Sequence, residues 1–93
     1  MAQRTTVAVI LDPLLEQLTA MLQGKGEHHP LALVHERLDR LIHELRHDPP
    51  TIDKFKTLQE LGFLKEHSLQ HDMTAFHDAI QRAVDETMTP GWS

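Results

Sequence analysis

The apolar positions change period near residue 12. Residues 5–11, Thr-Thr-Val-Ala-Val-Ile-Leu, form a short run rich in β-branched side chains, which predicts a strand with Val7, Val9 and Leu11 on one face and Thr6, Ala8 and Ile10 on the other. Asp12-Pro13 then marks a helix start: the Asp carboxylate accepts first-turn amides, and Pro at the first helical position gives up no donor the helix needs. Leu14, Leu15, Leu18, Met21 and Leu22 follow on one stripe, giving a helix over about 13–23 that ends in Gly24-Lys25-Gly26. Pro30 opens a second helix, about 30–47, whose Leu31, Val34, Leu38, Leu41, Ile42 and Leu45 recur at helical spacing until Asp48-Pro49-Pro50 stops it.

Two further helices complete the pattern. Thr51 is placed to cap one over about 51–61, carrying Ile52, Phe55, Leu58 and Leu61, with Gly62 in the left-handed position beyond its end and Phe63 folding back on Leu58. Ser68 is placed to cap the last, about 68–88, with Leu69, Met73, Phe76, Ala79, Ile80, Ala83 and Val84 on one face. The expected fold is therefore mainly α, an N-terminal β-strand followed by a four-helix domain, 1–93 being one domain. A lone strand cannot satisfy its own backbone, so it is expected to pair with the same strand of a second subunit in a homodimer.

Composition sharpens this picture. A chain of 93 residues without cysteine has a small core and neither disulfides nor thiolate chemistry to support it. The net charge is −5, and residues 48–93 carry four Lys/Arg against eight Asp/Glu. That balance opposes a general nucleic-acid surface, which requires clustered positive charge. The apolar run at the N-terminus is short and broken by Asp12-Pro13, so the expectation is a soluble, cytoplasmic protein without a membrane span.

His43-Glu44-Leu45-Arg46-His47, HELRH, resembles the HExxH motif of zinc peptidases. The resemblance implies His43 and His47 as zinc ligands, Glu44 as the base that activates the bound water, and Glu66 at a third-ligand distance along the sequence. At about 100° per residue, however, both histidines fall opposite the Leu38, Leu41 and Leu45 stripe and face water. Arg46 departs from the family pattern, and no further ligand motif follows. Eight histidines in all, His67/His71 among them at the same spacing, predict adventitious Zn²⁺ or Ni²⁺ binding rather than a resident cofactor. They also suggest a pH response, since imidazoles charge together near their ordinary pKa of about 6.5.

Residues 4–24, RTTVAVILDPLLEQLTAMLQG, resemble the opening of a ribbon-helix-helix DNA-binding domain. That resemblance, covering residues 4–46, implies a dimeric transcriptional regulator or antitoxin whose paired strands enter the major groove, with Arg4 and Thr6 toward DNA. Ala8 and Ile10 would share the DNA-facing side, where they cannot hydrogen-bond base edges, and the turn after Gly24 is longer than the family's. The favoured expectation is a non-catalytic interaction or regulatory adaptor. Its partner-binding residues would be the acidic Asp72, Asp78, Asp85 and Glu86 together with Trp92, a residue type enriched at interface hot spots.

Overall fold

The computed structural model describes residues 3–23, 31–47, 51–70 and 73–92. They form four helices: α1 (Gln3–Leu22), α2 (Ala32–Arg46), α3 (Lys54–Gln70) and α4 (Thr74–Met88). Each helix packs on its two neighbours in a ring, α1 on α2 and α4, α3 on α2 and α4. Neighbours run antiparallel. The first turn of α1 meets the ends of both α2 and α4, through Arg4 and Gln3 respectively, while Thr19 near its end meets His35 near the start of α2. Lys65 reaches Gln81 across the α3/α4 pair.

The core follows one spacing rule. Val7, Leu11, Leu14 and Leu18 are buried on α1, Leu38, Leu41 and Leu45 follow Leu31 and Val34 on α2, Thr57, Leu61, Leu64 and Ser68 line α3, and Phe76, Ile80, Ala83 and Thr87 line α4. Alternating steps of three and four put one residue per turn on the inward seam, the pattern that suits nearly parallel packing of helices in a bundle. Three seam positions are hydroxyls. Each donates within its own helix, Thr57 to the Asp53 carbonyl at 2.8 Å, Ser68 to Lys65 at 2.7 Å and Thr87 to Ala83 at 2.8 Å, so burial leaves none of them unpaired.

The structure corrects the expected N-terminal strand. Residues 5–11 lie inside α1, which runs unbroken from Gln3 through Pro13. The seam residues Val7 and Leu11 continue in step into Leu14 and Leu18, and burying that row outweighs the β preference of a few branched residues. Pro13 and Val9 are exposed, so the Val9 carbonyl, deprived of its usual amide at Pro13, sits on the solvent side where a missing bond is least costly.

Two other boundaries move. The helix expected to stop at Leu61 continues through Gly62 to Gln70, because Gly62 lies on the open side of α3 and the Leu61, Leu64 and Ser68 seam holds the helix together. Phe63 therefore stays helical instead of folding back on Leu58. Asp53, rather than the exposed Thr51, caps α3: its Oδ1 accepts the Lys56 amide at 2.7 Å. Ser68 closes α3 instead of opening the last helix, which begins at Thr74. The expected stops at Gly24-Lys25-Gly26 and Asp48-Pro49-Pro50 and the Pro30 helix start lie outside the described residues.

Helix ends are closed by side chains. Arg4 Nη1 donates to the Leu45 and His47 carbonyls, each at 3.2 Å, and Gln3 Nε2 donates to Glu86 at 2.9 Å and Thr89 at 2.7 Å. The last carbonyls of α2 and α4 thus find donors on the first turn of α1. Beyond α4, Gly91 adopts φ +91°, a left-handed conformation that glycine enters without strain, and Trp92 packs partly buried against the core.

Candidate interaction surface

Asp78 and Asp85 lie on the outward side of α4, exposed and seven residues apart, which places them two turns apart on one face. Asp85 also accepts a hydrogen bond from Gln81 at 3.1 Å. Glu86 points elsewhere: it is half-buried, and its backbone carbonyl is engaged by Gln3. Trp92 is half-buried against its own domain. Asp72 and His71 lie outside the described residues.

His43 and His47 are exposed on the side of α2 away from the core, and Glu66 is exposed on α3. Among the described residues no group of three or more His, Asp or Glu side chains is arranged to hold a metal ion. Arg46, between the two histidines in sequence, is committed to Asp12 through bonds of 2.8 and 2.6 Å. Arg4 and Thr6 sit half-buried on a helix. The paired-strand ribbon that the DNA-binding resemblance requires of residues 5–11 is not formed, and Arg4 Nη1 bonds the end of α2 instead.

Between α2 and α3 lies a compact polar and aromatic assembly. The Arg37 guanidinium stands 4.3 Å from the Phe63 ring centroid, and the His67 ring lies 4.1 Å from the same ring at 34°. Arg37 also pairs with Glu60 at 2.9 Å, while Lys56 reaches Glu60 at 3.6 Å. Glu60 is the most enclosed charge of these, its side chain 12% exposed, and it holds two cations at the mouth of the α2/α3 contact. The arrangement braces two helices and leaves no free acid or base aimed into a cleft.

The feature that sequence reasoning missed is Phe55. Assigned by spacing to the inward face of its helix, it is instead 81% exposed, and Met88 on α4 is 60% exposed. Once the seam of α3 is set by Thr57, Leu61 and Leu64, Phe55 falls well outside it. The Lys65–Gln81 contact fixes the register of α3 against α4, and the same register brings Leu58 level with Met88. An open depression lined by Asp53, Phe55, Lys56, Leu58 and Gln59 marks this end of the bundle. Lys54 and Lys56 flank the aromatic ring in sequence. Desolvating a ring so placed is the usual energetic core of a protein contact.

α1 carries a different signal. It is long and apolar enough, by length and composition alone, to cross a membrane, yet Val7, Ala8, Leu11, Leu14 and Leu18 form one side of the bundle core. No known protein family, curated protein or solved structure matches the chain.

Proposed function

We propose that this protein is a small cytoplasmic, non-catalytic adaptor or regulator that works as a homodimer and binds a second protein through the exposed end of α3 and α4. The observation that carries the reading is Phe55, a large ring left 81% exposed at an open depression that it lines together with Leu58. Isolated exposed apolar residues are ordinary, but an aromatic adjoining further apolar surface and a depression is the anatomy of a hot spot. Lys54 and Lys56 favour a partner whose contact rim is acidic. The outward Asp78 and Asp85 on α4 offer a separate polar face for a basic rim.

The test is recovery of partners from the native host with wild-type protein and with Phe55→Ser, followed by calorimetry on the purified partner. Truncating a hot-spot aromatic costs about 2 kcal/mol or more, so affinity should fall at least about 30-fold. Equal binding by Phe55→Ser, or a measurable turnover that requires the folded bundle, would overturn the reading.

A further inference from the structure

We infer that residues 89–92 form a strap, fastened across the end of the bundle by the Gln3 amide, that opens without the helices unfolding and so unmasks Trp92. As a regulation of the partner surface, this rests on the reading above. Where α4 ends, Thr89 turns extended at φ −65° and ψ 136°, and Pro90 cannot continue the helix. Gly91 at φ +91° then redirects the chain, and Trp92 returns to lie partly buried against the core. Thr89, Pro90 and Gly91 themselves are exposed. The strap is therefore held at its two ends, by Gln3 Nε2 on the Glu86 and Thr89 carbonyls at 2.9 and 2.7 Å and by the packing of one ring.

The fastening carries its own weakness. Among the described residues, Gln3 Oε1 is the one buried side-chain oxygen or nitrogen without a hydrogen-bond partner, and an acceptor left unpaired in the interior costs the desolvation of that group. Turning the amide over gives no relief, since only its nitrogen can donate to the two carbonyls. Once released from the strap, the Gln3 side chain can swing into water and hydrate both its ends. Few buried contacts, exposed backbone and a glycine that regains its freedom on release mark a segment that opens well below the free energy of global unfolding.

What opening frees is chemically specific. Trp92 is the chain's single tryptophan, a residue type enriched at interface hot spots, and in the closed strap it is half-buried on its own domain. α3 and α4 run antiparallel, so the end of α4 lies at the start of α3. The freed ring, and the apolar surface it leaves behind, therefore appear at the end of the bundle that carries Phe55 and its depression. The closed strap masks part of the partner surface, and opening completes it.

The experiment is a urea titration of the full chain followed both by Trp92 fluorescence with acrylamide quenching and by circular dichroism, for wild type, Gln3→Glu and Gly91→Ala. Gln3→Glu keeps the shape of the side chain but sets an acceptor against two carbonyls, while an acid in the first turn suits the start of α1. The carbon added by Gly91→Ala meets no atom within 4 Å, so it penalises the closed strap through its φ alone, by about tenfold in the opening equilibrium. The expected result is a Trp92 transition at lower urea than the helical one, displaced further in both variants while the helical midpoint holds. Trp92 and helical signals that move together in all three proteins would overturn the strap and leave the Phe55 surface standing. Anilinonaphthalene sulfonate, the probe for uncovered apolar surface, should bind Gly91→Ala more strongly than wild type, and the gain should be lost when Phe55→Ser is added. A gain that persists in the double variant would separate the strap from the Phe55 surface and overturn its masking role.

Discussion

Asp12 and Arg46 meet through two parallel hydrogen bonds, Nη1 to Oδ1 at 2.8 Å and Nη2 to Oδ2 at 2.6 Å, joining the residue before Pro13 to the last residue of α2. The side-chain bonds from Arg46 hold the Asp12 carboxyl below its ordinary value against the opposing effect of partial burial, and the guanidinium charge adds to the lowering. A carboxylate whose folded pKa is depressed stabilises the fold above its unfolded value near 3.9 and loses that contribution as pH falls through the folded one. Both side chains remain more than 40% exposed, so solvent screening keeps the pair to about 0.5–1 kcal/mol. A double-mutant cycle with Asp12→Asn and Arg46→Gln should return that coupling by urea unfolding at neutral pH, and the coupling should decline as pH falls below the ordinary carboxylate range and the Asp12 carboxyl takes up its proton.

Pro13→Ala should stabilise the protein. An interior proline costs a helix about 3 kcal/mol, partly offset because proline also restricts the unfolded chain, by up to about 1 kcal/mol. The expected gain is about 1–2 kcal/mol, with increased helical signal in circular dichroism. A strand at residues 5–11 would make the same change nearly neutral, so loss of stability or no change would contradict α1 as an unbroken helix.

Glu60 separates two cations by their worth. Arg37 pairs with it at 2.9 Å and lies over Phe63, whereas Lys56 reaches it from an exposed position at 3.6 Å. Arg37→Met should cost about 1–2 kcal/mol through the lost charge-assisted bonds and ring contact, and Lys56→Met no more than about 0.5 kcal/mol. Chemical unfolding of the two variants side by side distinguishes them.

Leu38→Ala should cost about 2–5 kcal/mol, because Leu38 is fully buried in the seam of α2 and its removal leaves a cavity in a small core. Thr87→Val should be neutral or stabilising by up to about 1 kcal/mol. Its hydroxyl bonds only the Ala83 carbonyl, an acceptor that also lies within the helical ladder, so an apolar replacement of the same shape strands no donor.

The middle of α2 and the apolar face of α4 were legible because their buried residues, Thr87 at the end of α4 excepted, are apolar and fall on helical spacing. α1 was not. Val7, Leu11, Leu14 and Leu18 already stood in step along the sequence, but the β-branched residues Thr5, Thr6, Val7, Val9 and Ile10 and the Asp12-Pro13 pair are strong local signals for a strand and a fresh helix. Local preference lost to a row of buried side chains that runs across both. In α3 the row was hidden because two of its members, Thr57 and Ser68, are polar, which made exposed Gly62 read as a terminus. The same concealment put Phe55 on the wrong face and kept its exposed ring out of view. For Arg4 and Arg46 the charge was visible and the recipient was not, since neither α2's open carbonyls nor Asp12 is near in sequence.

The three buried hydroxyls bear on how the helices choose one another. Because Thr57, Ser68 and Thr87 each spend their proton within their own helix, the interior offers every neighbour an apolar surface with no directional demand. Selection of partner and alignment then passes to the perimeter, where Gln3 and Arg4 bond the ends of α4 and α2 and Asp12, Arg37 and Lys65 each recognise one side chain on an adjacent helix. The bundle is lubricated inside and keyed at its edge, so rewriting those few outer residues would re-pair or re-register its helices more readily than any exchange among the leucines.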